Sequence, residues 1–417
     1  MALVRTASPR TPVAEVAKGP LSALGEAAAL WAHPAGGVRA AAFGEADRRE
    51  GASLRAVLSS LPMPGDLPEG LPGPWFGAAA FDGTAGPEWR GFAPLRFTLP
   101  SLLAWSEGGR HFLAGFGDGA EARLDDARRK LEARQQDAGA GDPGAAPSIS
   151  ARRLRRPDDR ARWDALVARA LQAIAAGSLH KVVLARAVDV EARAEIDTSA
   201  LLAALEARYP ACRAFLVRGE KGSAFLGATP EVLCRIDGDR VFTEALAGSA
   251  QPGGAAALLG SRKDLREHRW VVDHIVAALA GLGSGVLRKP EPGLRTLANV
   301  VHLHTPISAR LAPGRGVADV AAALHPTPAV AGVPAGAALE FLAQHEQLDR
   351  GLYAGLVGWV GPDRAELAVA LRCALVRGPH ARLFVGAGIV EGSSAASEWA
   401  ETELKAHALL DALGVAP

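Results

Sequence analysis

The sequence contains little cysteine and no closely spaced cysteine pair. Its three cysteines, Cys212, Cys234 and Cys373, lie far apart, and each sits in an apolar run. Isolated cysteines in odd number are typical of buried thiols in a reducing compartment, because disulfide frameworks and zinc sites need several cysteines at characteristic spacings. We therefore expect a cytoplasmic protein without disulfide bonds.

Long apolar runs and an excess of either charge are absent as well. No window approaches the roughly 20 uninterrupted apolar residues of a membrane-spanning helix, and residues 1–10 carry no apolar run of signal-peptide length. The 46 basic and 45 acidic residues leave a formal net charge of +1. Such a balance argues against nucleic acid or a membrane as a partner.

The signature motifs of several enzyme classes are missing too. There is no GxSxG motif and no Walker loop, and Gly386-Ala387-Gly388-Ile389 does not continue as GxGxxG, so a dinucleotide site is not expected. This glycine run is predicted to follow a strand that ends at Val385, where its bare backbone amides would suit an anion. His302 and His304 would share a strand face, but without a third nearby ligand they are interpreted as packing or substrate contact.

Length and hydropathy permit either two domains or one large body. The chain has 417 residues, 49% of them hydrophobic and 22% charged, so it can bury a sizeable core. Residues 1–122 are predicted to form strands and loops, followed by an amphipathic helix at Arg123–Arg134. The stretch Gln135–Ser150 is rich in Gly, Ala, Pro and Asp, and is predicted to be a linker that divides the chain into parts 1–150 and 151–417.

The second part alternates long helices with hairpins. Apolar residues recur at helical spacing before Gly177 and between Arg262 and Leu282, and a last helix is predicted at Ser397–Leu413. The dipeptide Asp237-Gly238 predicts a tight turn between two short strands. This order of elements predicts an α+β fold with antiparallel sheets rather than a doubly wound parallel sheet.

Two ionisable residues stand at the starts of predicted strands. Lys181 lies in the strand-like run Leu179–Arg186, where it could be an edge residue whose ammonium reaches water. Only seven of the 46 basic residues are lysines, however, which favours a group whose pKa can be lowered by burial and which therefore suits a general base. Glu231 follows Pro230 at another strand start and is either solvent-exposed or a functional acid.

Three glutamates could meet on inward helix faces. Glu267 extends the apolar stripe of its predicted helix, and a buried carboxylate needs a proton, a cation or a metal ion. Glu398, Glu401 and Lys405 share one face of the last helix, for which a solvated, ion-paired surface is the simpler interpretation. Three carboxylates that converge without histidine or thiolate would favour a hard ion such as Mg²⁺.

Ordered motifs throughout the second part are similar to those of the chorismate-utilising enzymes, the family of anthranilate, aminodeoxychorismate, isochorismate and salicylate synthases. The motifs are LHKVVLAR, FLGATPEVL, EALAGSAQPG, SRKDLREH, VVHLHT, LHPTPAVAGVP, YAGLVGW, VALRCALV, FVGAGIV and SEWAETELK. They run from about Asp158 to the C terminus, with a weaker match at Gly77–Asp82. The resemblance implies one large α+β fold of two packed antiparallel sheets surrounded by helices, in which Gln135–Ser150 is an internal loop.

The resemblance also implies roles for individual residues. It makes Lys181 the general base and Glu231 the general acid, and it implies that Mg²⁺ is bound by Glu267 and Glu401, with Glu398 as an accompanying carboxylate. The groups implied to bind the substrate carboxylates are Gly248, Ser249, Tyr353, Arg372, Gly386, Gly388 and Lys405.

Two positions indicate which member of the family the chain resembles. Ala247 stands where the aminodeoxychorismate branch has a nucleophilic lysine, so a small molecule must attack the ring. The segment Pro326–Pro334 resembles isochorismate synthases rather than anthranilate synthases. The resemblance therefore implies a monomeric, Mg²⁺-dependent isochorismate synthase, whose product would feed menaquinone or siderophore biosynthesis. Salicylate synthase, anthranilate synthase component I and an inactive chorismate-binding homologue are the alternatives.

Overall fold

The structure is a computed structural model, and it describes residues 11–16, 21–65, 67, 71–137, 149–297 and 300–415. Most of the predicted linker at Gln135–Ser150 lies outside the described residues, and the helix before it continues to Asp137. The division of the chain at residue 150 therefore stays a prediction.

A large antiparallel sheet combines strands from both ends of the sequence. Within the described residues it has twelve strands. In spatial order they are β1 (Val13–Val16), β8 (Arg110–Gly115), β7 (Leu102–Glu107), β3 (Val38–Phe43), β2 (Ala29–His33), β11 (Arg213–Arg218), β12 (Ala224–Thr229), β21 (Cys373–Arg377), β22 (His380–Val390), β10 (Lys181–Ala192) and β18 (Gly332–Val333), with β9 (Ala151–Leu154) also on β10.

A second antiparallel sheet has ten strands in the same part of the chain. In spatial order they are β15 (Gly283–Arg288), β17 (Val301–Leu311), β14 (Arg240–Ala250), β13 (Val232–Asp237), β20 (Arg364–Val369), β19 (Leu356–Val360), β5 (Trp75–Ala79), β6 (Leu95–Leu99) and β4 (Asp47–Glu50), with β16 (Gly293–Thr296) also on β17.

Nine α-helices accompany the two sheets in the residues that the structure describes. They are α1 (Leu54–Ser59), α2 (Ala120–Asp137), α3 (Asp159–Ala175), α4 (Thr198–Arg208), α5 (Ala255–Gly260), α6 (Arg262–Ala280), α7 (Val317–Leu324), α8 (Ala335–His345) and α9 (Ala395–Ala412). Of these described helices, none has the length and apolar character needed to cross a membrane. The α+β prediction with antiparallel sheets is confirmed.

The two helices that carry predicted glutamates are oriented by local signals. In α6, Ser261 caps the N terminus by accepting a hydrogen bond from the Asp264 amide, and in α9 Ser394 accepts one from the Ser397 amide. The buried face of α6 includes Val271 and packs against β14 and β17. The cap fixes where α6 begins and the apolar face holds the helix on β14 and β17, with Glu267 in its second turn.

One strand prediction was wrong in its end point. The glycine run Gly386-Ala387-Gly388 does not follow a strand end at Val385, because β22 continues through it to Val390. The reason is tertiary: β22 pairs with β10 along the whole stretch from Lys181 to Glu191. A continuous ladder of this kind outweighs the low strand propensity of glycine.

Candidate active site

One cavity brings together the twelve residues to which the resemblance assigns a role in catalysis, metal binding or substrate binding. It is bordered by β10, β14, β22, α6 and α9. The residues that line it include Lys181, Glu231, Gly248, Ser249, Glu267, Tyr353, Arg372, Gly386, Gly388, Glu398, Glu401 and Lys405.

Lys181 is buried and pairs with a carboxylate. As the first residue of β10 it lies between β22 and β18, and its Nζ is 2.8 Å from Oε1 of Glu267. Its side chain is 1% exposed, so the alternative of an ammonium that reaches water is wrong. Gly388 makes room for the pair, because a Cβ there would lie 2.6 Å from Glu267 Oε1. Burial alone would raise the pKa of Glu267, but the attraction and hydrogen bond of Lys181 lower it.

Glu231 is a buried carboxyl at the entry to β13. Its backbone is held by Thr229, whose hydroxyl accepts from the Glu231 amide at 3.2 Å and donates to the Val369 carbonyl at 2.6 Å. Burial, followed by the charge of Glu244, raises the pKa of Glu231 to about 7. A carboxyl that keeps its proton near neutral pH can act as a general acid.

Each of the three glutamates predicted to bind metal contacts a lysine. Besides the pair at Glu267, Lys263 Nζ lies 2.9 Å from Glu398 Oε1 and Lys405 Nζ lies 2.6 Å from Glu401 Oε1. Lys263 was not among the predicted site residues, although the scarcity of lysine in the sequence could have marked it. The cavity therefore holds cationic and anionic groups side by side.

Burial disfavours the charged form of two acidic groups in the cavity, Glu398 and Asp264. Burial raises the pKa of Glu398, and neighbouring Glu401 raises it further. Burial also raises the pKa of Asp264, which lines the cavity and was not predicted. Carboxylate oxygens whose negative charge lacks full compensation suit a hard divalent cation. Within the described ranges, no three His, Cys, Asp or Glu side chains are already grouped so that they could hold a metal ion.

Cationic and hydroxyl groups in the cavity suit a substrate that carries carboxylates. Arg372 has a φ of +49°, and its Nη2 is buried without a hydrogen-bond partner among the described residues. Lys405 donates to the Gly386 carbonyl at 2.9 Å. The Tyr353 ring stacks on Phe384 with centroids 5.3 Å apart, and burial raises its pKa, so the hydroxyl keeps its proton. An unpaired buried guanidinium N–H is best satisfied by an anion.

The backbone of β14 bends where two predicted residues line the cavity. Its pairing with β17 shifts register between Ala247 and Ser249, and Gly248 between them has a φ of +76°, which disfavours other residues. Ser249 Oγ lies 3.0 Å from His302 Nδ1. Burial lowers the pKa of His302 well below its ordinary value, and its Nε2 has no partner within the described chain. His302 therefore offers a neutral ring to the cavity, whereas His304 contacts Glu244 at 2.8 Å.

The chain is similar to known proteins over most of its length. The profile of a family described as "Chorismate binding enzyme" matches residues 55–414. The salicylate biosynthesis isochorismate synthase of Pseudomonas aeruginosa is 38% identical over 341 residues, which cover 78% of this chain and 70% of the relative. Isochorismate synthase EntC of Escherichia coli K12 is 38% identical over 262 residues, which cover 61% of this chain and 67% of the relative.

A solved structure has the same fold. It is that of MenF, the menaquinone-specific isochorismate synthase from Escherichia coli, which superposes with a TM-score of 0.78 at 29% sequence identity. The match covers 98% of this chain and 95% of the other.

Proposed function

Because the chain belongs to the chorismate-binding enzyme family, we propose that it is an isochorismate synthase that isomerises chorismate in the cavity described above. One observation carries the proposal: a carboxyl with a pKa of about 7, a buried lysine and a buried arginine whose Nη2 has no hydrogen-bond partner among the described residues line the same cavity. The names of its relatives agree with it. A role in menaquinone or siderophore biosynthesis fits these relatives, whereas the cytoplasmic location and the monomeric state stay predictions.

The reaction adds a hydroxyl group at C2 of chorismate and removes the one at C4. Lys181 takes a proton from the water that attacks C2, the ring double bonds shift, and Glu231 gives its proton to the hydroxyl that leaves C4. One water enters and one leaves, so the substrate and product are isomers. Each proton transfer contributes roughly 10²- to 10⁴-fold to the rate. Ala247 lines the cavity with only a methyl group, which leaves the attack to a small molecule.

The contact between Lys181 and Glu267 constrains this mechanism. A salt bridge needs the ammonium form, so the amine acts as a base only once the contact is released. The carboxylate of Glu267 is also attracted by Lys405 and Lys263, which can then balance its charge. The sequence predicted a lysine prepared by burial and neighbouring groups, and the structure identifies Glu267 as an acidic neighbour.

Glu267, Glu398 and Glu401 are proposed to hold Mg²⁺, because all three line the cavity with oxygen donors of the kind that a hard cation prefers, and the charge of Glu401 disfavours that of Glu398. When bound, the ion would supply Lewis acidity at the ring carboxylate of the substrate. Arg372 and Lys405 are proposed to pair with the carboxylates of chorismate.

Product analysis tests the function. We expect the purified protein, incubated with chorismate and Mg²⁺, to form isochorismate, which chromatography separates from chorismate. Addition of ammonium chloride should yield no anthranilate, because the cavity is proposed to position water. Salicylate with pyruvate, anthranilate with ammonium, or chorismate binding without any product would each contradict the proposal and point to one of the three alternatives.

Replacement of a metal-binding carboxylate should weaken the dependence on magnesium. In Glu401→Gln we expect the Mg²⁺ concentration for half-maximal activity to rise at least about 10-fold, because a neutral amide is a poorer ligand for a hard cation. Binding of Mn²⁺, followed by electron paramagnetic resonance without substrate, should weaken in parallel.

Glu391→Gln provides the matched control, since Glu391 is an exposed residue that pairs with Arg266 outside the cavity. It should leave both measurements unchanged. Full activity of the wild-type protein after removal of metal with EDTA would show that the reaction does not use the proposed ion.

A further inference from the structure

A buried ion pair lies directly behind the wall of the cavity. Arg350, which is 6% exposed, binds the carboxylate of Glu346 with two hydrogen bonds, from Nε to Oε1 at 2.5 Å and from Nη2 to Oε2 at 2.9 Å. Neither Arg350 nor Glu346 was predicted to be a site residue, and Arg350 does not line the cavity. The guanidinium also lies over the Phe81 ring, 4.4 Å from its centroid.

The pair takes the place of a missing strand. On the edge of β10 away from β22, β18 pairs with Lys181 and Val182, and β9 pairs only from Asp189 onward. In the gap, Arg350 donates to the Val183 carbonyl at 2.7 Å, and Glu346 accepts from the Ala185 amide at 2.7 Å. Side chains therefore satisfy backbone groups that a strand edge would otherwise leave open.

The same guanidinium reaches a second wall of the cavity. Its Nη1 donates to the Val330 carbonyl at 3.0 Å, and both Val330 and Val183 line the cavity. Arg350 thus joins the strand that begins with Lys181 to the segment that contains Val330. The Tyr353 amide donates to the Arg350 carbonyl at 2.9 Å. The turn that leads to Tyr353, a third residue that lines the cavity, therefore starts at Arg350.

Energetics favour a positioning role over a purely stabilising one. A buried ion pair gains little net stability over apolar residues of similar volume, because both charges must leave water. A planar guanidinium with fixed donors can, however, set the distance between several acceptors, which an apolar core cannot do. The bonds to Val183 and Val330 are therefore the ones with a functional consequence.

We propose that Arg350, together with Glu346, is a positioning residue that fixes the first residues of β10 against the Val330 segment and so aims Lys181 at the substrate. The inference rests on the proposed isochorismate synthase activity. Neither side chain lines the cavity, so the pair acts through the backbone that it holds and not by contact with the substrate.

The double variant Arg350→Met/Glu346→Met tests the proposal, because it removes both charges and leaves neither one buried alone. We expect kcat for isochorismate formation to fall about 100-fold in protein that is folded at the assay temperature, the effect of a misplacement of about 1 Å at a catalytic group. The thermal midpoint should also fall, because the Val183 and Val330 carbonyls and the Ala185 amide lose their partners. Arg350→Lys, which keeps the positive charge but cannot bridge all the acceptors, should lower kcat by a smaller factor and lower the midpoint less. Should the double variant fail to fold, this single variant decides.

A second ion pair, with side chains 14% and 10% exposed, supplies the matched control. Arg213 and Glu366 join β11 to β20 through a 2.6 Å contact, and neither lines the cavity. The variant Arg213→Met/Glu366→Met should keep the wild-type kcat. In Arg350→Ala, millimolar guanidinium should partly restore kcat by filling the vacated site, and it should not change the kcat of the wild-type protein.

Two results overturn the inference: a folded double variant with kcat within twofold of wild type, or a loss of kcat that the control pair shows equally. Wild-type protein that forms no isochorismate would instead refute the proposed function, so the two failures are distinguishable.

Discussion

Lys181→Met is expected to lower kcat for isochorismate formation by roughly 10²- to 10⁴-fold, the contribution of one general base. Methionine fills the buried site at the start of β10 but cannot take a proton from water. Removal of the lysine also leaves the Glu267 carboxylate without its nearest cation. Circular dichroism and a thermal melt must therefore establish that the variant is folded before its kinetics are interpreted.

Lys181→Arg separates the charge of the lysine from its basicity. Arginine can face Glu267 with a positive charge, but its guanidinium does not give up a proton in proteins. We expect it to be as inactive as the methionine variant. Lys289→Met makes the same substitution at an exposed lysine and should leave kcat unchanged. A folded Lys181→Met protein within tenfold of wild-type kcat would show that another group is the base.

Glu231→Gln is expected to cause a loss of similar size, roughly 10²- to 10⁴-fold in kcat. Glutamine has the shape of the protonated carboxyl but has no acidic proton for the departing hydroxyl. In the wild-type protein kcat/KM should fall as the pH rises above about 7, because burial and the charge of Glu244 set the pKa of Glu231 near that value. Glu391→Gln, at the exposed pair with Arg266, should keep this pH profile.

The same substitution should change stability in a predictable direction. The folded protein binds the Glu231 proton with a pKa of about 7, whereas the ordinary value is 4.5. The folded state therefore binds more protons than the unfolded state between these values, and its stability falls as the pH rises through them. Glu231→Gln should stabilise the protein above pH 7 by about 3 kcal/mol and have little effect near pH 4.5. A destabilised variant at pH 8 would contradict the raised pKa.

Elements with local signals were predicted well. The helix predicted from Arg262 was found at Arg262–Ala280, because its serine cap and apolar stripe lie within the helix itself. The turn at Asp237-Gly238 joins β13 to β14 as predicted. The end of β22 was missed, because its length depends on β10 rather than on its own residues.

In the candidate site, too, residues within local motifs were predicted and residues that depend on distant contacts were not. Motifs in the sequence marked the lysine, the glutamates and the glycines that line the cavity. Lys263 was missed because its partner Glu398 lies 135 positions away in the chain. Arg350 was missed because its acceptors, such as the Val183 carbonyl 167 positions away, are backbone atoms that no residue type reveals.

By itself the sequence determined the antiparallel α+β class, the family and the residues proposed to carry the chemistry, because periodicity, turn residues and motifs are properties of neighbouring positions. Only the tertiary structure decided that Lys181 is buried against Glu267, that the pKa of Glu231 lies near 7, and that Arg350 and Glu346 replace a strand beside the cavity. Burial, charge interactions and strand edges arise between groups distant in the chain, so they exist only once the two sheets have formed.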